Sequence, residues 1–359
     1  MSIDAGRGCP FLCSFCTIIN VQGRKSRYRH PDDVERCVRT NVAQGFHRLF
    51  ISDDNFARNQ NWEPILDRPI HLREVEKLKI SFSLQVDTLC HRIPNFIEKA
   101  ARAGVKRVFI GLENINPANL LDARKKHNRI SEYRKMLLAW KHAKVVTYCG
   151  YILGFPKDTP EAILRDIETI KEELPIDLLE FFTLTPLPGS EDHKKLSEAG
   201  VNMNSDLNNY DVNHVVIDHP LMSRAEWEQV SQAAWKAYYS PVHIETVLRR
   251  AMAAGSSPGN TLFNIVWFKG CVDIEKVHPL EGGYLRLKSR HDRRPGLPTE
   301  PFGLFYPKFF AGIVWKQMKW IAMYLRLRLI YIRVKRDPQR HEYRDAALEA
   351  VTDDGAEPQ

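Results

Sequence analysis

The stretch RGCPFLCSFC (residues 7–16) gathers three cysteines in one short segment near the start of the chain. Cys9, Cys13 and Cys16 have the spacing C-x3-C-x2-C, and no fourth cysteine follows to complete a set. Thiols crowded in this way commonly bind a metal, because a loop has no packing reason to collect them. The sequence therefore predicts a metal centre with three protein ligands and one open position.

Two kinds of metal centre are compatible with three cysteines. A structural zinc site needs four ligands, usually supplied as two pairs, and only His30 is available as a fourth ligand nearby. A [4Fe-4S] cluster fits better, because three thiolates hold three irons and the fourth iron stays open for a substrate or cofactor. We expect no second cluster, since the other cysteines stand singly in the sequence: Cys37, Cys90, Cys149 and Cys271.

The composition indicates an ordinary globular protein. The chain has 359 residues, of which 43% are hydrophobic and 27% charged. Seven cysteines without a secretory leader argue against a disulfide framework and favour a reducing compartment. No run approaches the roughly 18 uncharged apolar residues of a membrane span. We therefore expect a cytoplasmic protein.

Apolar, strand-like segments alternate with amphipathic helical segments over the first part of the chain. The strand-like segments are residues 2–5, 48–52, 79–85, 107–113, 145–153 and 178–185, and the helical ones are 31–44, 62–76, 93–103, 131–143 and 160–173. Six such repeats predict an α/β fold with a buried parallel sheet and right-handed crossovers. This pattern alone fits either an open doubly wound sheet or a partial (β/α) barrel.

Polar residues follow each strand-like segment at its end. The cysteine loop follows the first, and SDDNF (52–56), QVD (85–87), LEN (112–114), GFP (154–156) and TPLPGS (185–190) follow the others. In both architectures the carboxyl ends of the strands form the ligand-binding edge of the sheet. The six loops are therefore expected to converge on one site that contains the cysteines.

The cysteine spacing, with Phe15 before the last cysteine, resembles the signature of the radical S-adenosylmethionine superfamily. The resemblance covers roughly residues 2–200 and implies a partial (β/α)6 TIM-like barrel. It further implies that a [4Fe-4S] cluster is held by Cys9, Cys13 and Cys16. In that family S-adenosylmethionine binds the open iron and is cleaved reductively, and the resulting 5′-deoxyadenosyl radical abstracts hydrogen from a substrate. An enzyme of this type would also need a reducing partner such as a flavodoxin or ferredoxin.

The resemblance assigns further residues to the cofactor site. Phe15 would pack near the adenine, or it would simply be a core aromatic. Asp53, Asp54 and Asn55 occupy the place of the family's Gly-Gly-Glu-type turn and could accept from the methionine ammonium, although one of them could instead cap a helix. Glu113 matches the acidic position after strand four. Gly154 and Pro156 match the turn beside the adenine. The catalytic residues toward the substrate stay unknown.

Several stretches look most like the cobalamin-associated branch of the superfamily, among them GLEN (111–114) and GYILGFPKDT (150–159). Members of that branch methylate unreactive carbons or rearrange rings, and they carry a cobalamin domain before the barrel. Only eight residues precede Cys9. The cobalamin domain would therefore be missing from this chain, supplied by a partner or not needed. A non-catalytic iron–sulfur electron carrier and a tRNA-modifying enzyme are the alternatives.

The regular alternation stops after about residue 205, which sets the expected domain organisation. We predict a radical SAM core at 1–205, a mainly helical extension at 206–285, a basic aromatic-rich tail at 286–340 and an acidic disordered terminus at 341–359. The tail has 14 Lys and Arg against 3 acids. Its stretch 309–336 would be either a helix packed on the barrel or a surface for anionic membrane, and hence for a lipid-like substrate. Its Leu325–Leu329 alternation looks more like a strand. Nucleic acid is not expected as a partner.

Overall fold

The computed structural model describes residues 1–293 and 295–351. Six parallel strands form one sheet in which the spatial order follows the chain order. The strands are β1 (Ser2–Asp4), β2 (Arg48–Ser52), β3 (Ser81–Val86), β4 (Val105–Glu113), β5 (Val146–Leu153) and β6 (Leu178–Thr183). In a doubly wound sheet the spatial order of the strands reverses at a switch point. The unbroken order therefore settles the choice left open by the sequence in favour of the partial barrel.

Helices cross between successive strands and cover the sheet. They are α1 (Pro31–Ala43), α2 (Trp62–Glu74), α3 (Phe96–Ala103), α4 (Pro117–Asp122), α5 (Tyr133–His142) and α6 (Pro160–Glu173). Three of them begin with proline, whose fixed φ suits the first helical position. The predicted crossover segments agree with these helices to within a few residues, whereas the short α4 is not predicted by the sequence.

The free edge of β6 is covered by side chains. The Tyr239 hydroxyl donates to the Leu179 carbonyl at 2.9 Å, and His278 Nε2 donates to the Phe181 carbonyl at 2.9 Å. His278 Nδ1 accepts from the Leu280 N–H at 3.3 Å, which makes Nε2 the donor nitrogen. These bonds satisfy groups that would otherwise offer a template for another strand.

The C-terminal part is helical. Its helices are α7 (Glu191–Glu198), α8 (Arg224–Tyr238), α9 (Pro241–Ala253), α10 (Pro258–Gly270), a π-helical turn (Cys271–Glu275) and α11 (Phe302–Arg336). A capping box of Ser223 and Glu226 starts α8. Helix α11 runs without interruption, so the prediction of a strand-like segment at Leu325–Leu329 is wrong. Its buried residues Trp320, Leu327 and Val334 recur every seven positions, and this packing against the protein overrides the local alternation.

The terminus is ordered further than the sequence predicts. Asp345 pairs with the buried Arg250 at 2.7 Å, and Ala347 is fully buried in a short 3-10 helix. The prediction of disorder from residue 341 onward is therefore wrong for residues 341–351. The physical reason is that the buried guanidinium of Arg250 requires a carboxylate partner. Residues 352–359 lie outside the described residues. None of the helices in the described ranges combines the length and apolar character that a membrane span requires.

Candidate functional site

The cysteine loop follows β1 and is attached to loops that follow other strands. The Cys9 N–H donates to the Gly23 carbonyl at 3.2 Å, closing the loop on itself. The Ser14 N–H donates to the Ala123 carbonyl at 3.1 Å, and the Ser14 hydroxyl donates to Asp192 at 3.1 Å. These contacts join the cysteine loop to the segments after β4 and β6. These contacts alone bring together the loops that follow β1, β4 and β6, in agreement with the predicted convergence.

The three cysteines are free thiols within this loop. Cys13 is buried, whereas Cys9 and Cys16 are partly buried. Burial raises the pKa of all three thiols, that of Cys13 to about 12. The Lys125 ammonium lowers each of these pKa values, because a nearby cation favours the thiolate. The loop thus holds three thiols beside a buried cation that stabilises their ligating form.

The three cysteines supply three thiol ligands on one loop, and thiolates are the usual ligands of iron–sulfur clusters. A cubane cluster binds each thiolate through a different iron, so its ligands surround the cluster and need not meet at one point. Three thiols on one loop with no fourth protein ligand are the donor set of such a cluster with one open iron.

The loop after β2 contributes the predicted Asp53, Asp54 and Asn55. Asp54 accepts a hydrogen bond from the Gly8 N–H at 2.6 Å and so holds the start of the cysteine loop. Asn55 bonds the Cys9 thiol and donates to Asp87 at 3.0 Å. Asp53 is buried and accepts from Asn59 at 2.7 Å, and burial raises its pKa. The structure brings Asp54 and Asn55 to the cysteines, whereas Asp53 serves the loop itself.

Glu113 ends β4 in an unusual backbone conformation. Its φ is +65°, which a non-glycine residue rarely adopts, and the register of β4 against β5 shifts at this point. The carboxylate pairs with the buried Lys125, whose ammonium also donates to the Gly111 carbonyl at 3.0 Å. The Glu113 carboxylate itself raises the pKa of Cys13 and Cys16, so it lies near both thiols together with Lys125.

Phe155 joins Phe15 in the aromatic part of the site. Phe15 lies edge-on to Phe155, with ring centroids 6.4 Å apart, and Lys125 Nζ is 5.9 Å from the Phe15 centroid. Pro156 is exposed. Gly154 is buried with φ +96°, and a Cβ there would overlap the indole of Trp227. The turn of Gly154 and Pro156 thus presents Phe155 to the cysteine loop, and Gly154 provides room for α8.

Arg58 and His127 lie near the thiols and are missed by sequence reasoning, as is Lys125. Arg58 forms a two-pronged pair with Asp87, at 2.6 and 2.8 Å, and lies 5.5 Å from the centroid of Phe11 in the cysteine loop. His127 stacks on the Phe11 ring, with centroids 3.5 Å apart. Asp87, the partner of Arg58, belongs to the QVD segment (85–87) that the sequence already predicts at the site. Arg58 and His127 stand in polar stretches that nothing distinguishes.

A cavity of about 450 Å³ adjoins the site. It lies between the end of β6, helix α8 and the segment from Val272 to His278. Phe182 lines the cavity and, like Phe15, packs against the buried apolar group that contains Phe155. The walls include Trp235 and Val272, and Lys236, Lys276 and Glu228 stand among the polar lining residues. Its size and mixed lining are typical of sites for small organic molecules.

Comparison with known proteins agrees with this geometry. A bacteriochlorophyllide d C-12(1)-methyltransferase from Chlorobaculum tepidum is 26% identical over 219 residues, covering 60% of this chain and 46% of the relative. A hopanoid C-2 methylase from Rhodopseudomonas palustris is 25% identical over 287 residues, covering 74% and 53%. The chain spans about half the length of these curated relatives.

A solved structure shares the fold. TsrM from Kitasatospora setae, a radical S-adenosylmethionine methyltransferase determined with cobalamin and a [4Fe-4S] cluster, superposes with a TM-score of 0.50 at 18% identity. The alignment covers 64% of this chain and 46% of TsrM. The predicted fold class is confirmed by this shared fold.

The family model of the Radical SAM superfamily matches residues 3–205, which is more than half of the chain. The predicted cofactors, a [4Fe-4S] cluster and S-adenosylmethionine, are those of this family. The chain therefore belongs to the Radical SAM superfamily.

Proposed function

We propose that the protein is a radical S-adenosylmethionine enzyme that modifies an unactivated carbon of an apolar substrate, with C-methylation as the favoured reaction. The observation that carries the proposal is the three-thiol loop, which Asp54 holds through the Gly8 N–H and which has the buried Lys125–Glu113 pair near its thiols. An electron carrier would need only the thiols. The additional carboxylates around an open metal position favour a site that also holds a second, amino-acid-bearing cofactor.

The chain's own residues have separable tasks in this proposal. Cys9, Cys13 and Cys16 would hold the cluster, which supplies the electron for reductive cleavage of S-adenosylmethionine. Lys125 would balance the negative charge of the thiolates from a position that excludes water, since it is buried. Asp54 and Glu113 would offer acceptors for the cofactor's ammonium and hydroxyl groups. Phe15 and Phe155 would provide an apolar contact for its adenine.

The substrate class follows from the cavity and the relatives. The two methyltransferase relatives are named for a bacteriochlorophyllide and a hopanoid, which are both large apolar ring systems. The cavity beside Phe182 has a mixed lining, in which Trp235 and Val272 lie beside polar residues and the lysines Lys236 and Lys276 are accompanied by the acids Glu228 and Asp273. This lining suits an organic molecule with a largely apolar skeleton and some polar groups. The proposal includes cobalamin as a further cofactor, and the cobalamin held in TsrM supports this element.

The two alternatives differ in what they require. A tRNA-modifying relative, tRNA-2-methylthio-N(6)-dimethylallyladenosine synthase from Oceanobacillus iheyensis, is 26% identical over 205 residues. In this chain the described residues after 205 form helices and a single isolated bridge, Met203 to Ile217, that reaches into them. The electron-carrier alternative requires a cluster but no cleavage of S-adenosylmethionine.

An assay of cofactor cleavage tests the proposal. The protein is reconstituted anaerobically, reduced with dithionite or with a flavodoxin- or ferredoxin-type partner, and supplied with S-adenosylmethionine. We expect 5′-deoxyadenosine to form. Glu113→Gln should lower the rate at least tenfold while the iron content stays the same, whereas the exposed Glu74→Gln should match the wild type. A loaded cluster that yields no 5′-deoxyadenosine would favour the electron carrier and contradict the proposal.

A further inference from the structure

Helix α11 is packed on the protein along one face only. Trp320, Leu327 and Val334 are buried against the neighbouring helices. Glu275 fixes this face by accepting from Trp320 Nε1 at 2.8 Å and from Lys316 Nζ at 2.5 Å. The helix therefore has a defined rotation, and its opposite face points away from the protein.

The opposite face is apolar and exposed. Seven large apolar residues lie on it, each more than half exposed: Leu304, Val314, Trp315, Met318, Ile321, Leu325 and Leu329. At 3.6 residues per turn they fall within about 120° of arc. We call this set the apolar face. A solvent-exposed strip of this length is unusual for a soluble surface and marks an interaction site.

Basic residues flank the apolar face on both sides. Lys308, Lys319 and Arg326 run along one border, whereas Arg328 and Lys335 lie on the other, and all five are exposed. The 35 residues of the helix contain no Asp or Glu. Within the described part of the chain, Lys319, Arg326 and Arg328 form no ion pair, so their charge is available to a partner.

We propose that α11 lies in the plane of an anionic membrane, with the apolar face inserted at the boundary between headgroups and acyl chains. An exposed apolar strip bordered by lysine and arginine is the arrangement that binds such a surface. A protein partner is less well matched, because the apolar face carries no polar group to fix its register. The inference rests on the helix alone and does not depend on the cofactor site.

The test uses the full chain and vesicles of stated composition. Binding is measured by sedimentation with vesicles of phosphatidylcholine alone, and of phosphatidylcholine with 30% phosphatidylserine, at low and high salt. We expect at least tenfold tighter binding to the anionic vesicles at low salt, and loss of most of that difference at high salt. Wild-type protein that stays in the supernatant under all conditions would overturn the proposal.

Two triple variants separate the contributions. Trp315→Ser, Met318→Ser and Leu325→Ser together remove apolar area and should lower binding at least tenfold. Lys319→Gln, Arg326→Gln and Arg328→Gln together should lower binding to anionic vesicles at least tenfold and leave the weak binding to neutral vesicles unchanged. All six residues are exposed, so circular dichroism should show the wild-type fold.

Matched controls change the same residue types elsewhere on the surface. Val75→Ser, Leu121→Ser and Leu207→Ser remove exposed apolar groups outside α11, and Lys79→Gln, Arg165→Gln and Lys106→Gln remove exposed charges. Both controls should bind as the wild type does. Controls that lose binding equally would contradict a surface confined to α11. The proposal would also be overturned if the wild-type protein does not bind vesicles but forms a dimer that the apolar triple variant converts to monomer. The apolar face would then be a contact between two copies of the chain.

Discussion

Replacement of Glu180 by glutamine tests the charge state of the barrel interior. Glu180 lies on β6 and is fully buried. The Tyr148 hydroxyl donates to its Oε2, while its Oε1 has no hydrogen-bond partner. His278 Nδ1 lies 3.5 Å from Oε1, but this nitrogen already accepts from the Leu280 N–H. An ionised Glu180 would therefore leave one carboxylate oxygen buried and unsatisfied.

The expected change in folding stability with pH follows from the pKa of Glu180. Burial raises the pKa of Glu180 from 4.5 to about 7. Between those pH values the unfolded chain has released the proton that the folded protein retains, so stability falls as pH rises. One pKa unit corresponds to about 1.4 kcal/mol, and the loss between pH 5 and pH 8 amounts to about 2.5 kcal/mol. Glutamine has no proton to lose and resembles the neutral acid.

Urea unfolding of the cluster-free protein at pH 5 and pH 8 measures this loss. We expect Glu180→Gln to gain about 2.5 kcal/mol relative to wild type on going from pH 5 to pH 8. The exposed Glu98→Gln, whose carboxylate is solvated, should show the same difference from wild type at both pH values. If Glu180→Gln shows no pH-dependent gain, Glu180 is ionised in the folded protein at neutral pH and the reasoning fails.

Two further substitutions test the packing of the site. Gly154→Ala should lower the free energy of unfolding by about 3 kcal/mol, because the new Cβ meets the indole of Trp227 and φ is +96°. The control Gly45→Ala has a similar φ of +88° but open space around it, and it should lower this free energy by only about 1 kcal/mol. Equal losses in urea unfolding would refute the overlap with Trp227. Lys125→Met should cost about 3 kcal/mol, because it leaves the Glu113 carboxylate without its cation, and an unchanged unfolding free energy would contradict the buried pair.

The fold could be predicted from the sequence because its signals are local. Strands buried on both faces read as continuous apolar runs, and proline or glycine marks several helix ends. The sequence predicts a mainly helical extension at 206–285 but does not mark α10 as a separate helix, because PGNTLFNIVWFKG combines glycine, β-branched and aromatic residues, which weaken a helical pattern. The ordered residues 341–351 were missed because their order depends on Arg250, which lies far away in the chain.

The candidate site was predictable only in part for a related reason. The cysteines are recognisable because their spacing is local, and Glu113 because it ends an apolar strand. Lys125 and Arg58 gain their roles from the partners Glu113 and Asp87, which only the folded chain brings near. A lysine or arginine in a polar stretch usually faces solvent. The sequence therefore gives no reason to select these two residues over other basic residues.

The central claim is that the three-thiol loop holds a cluster that cleaves S-adenosylmethionine. The most direct measurement compares iron, sulfide and 5′-deoxyadenosine in wild type, in the Cys9→Ala, Cys13→Ala, Cys16→Ala triple variant and in the Cys37→Ala control after anaerobic reconstitution. We predict about four irons per chain and cofactor cleavage in wild type and control, and neither in the triple variant. Iron and cleavage activity that persist in the triple variant would contradict the account.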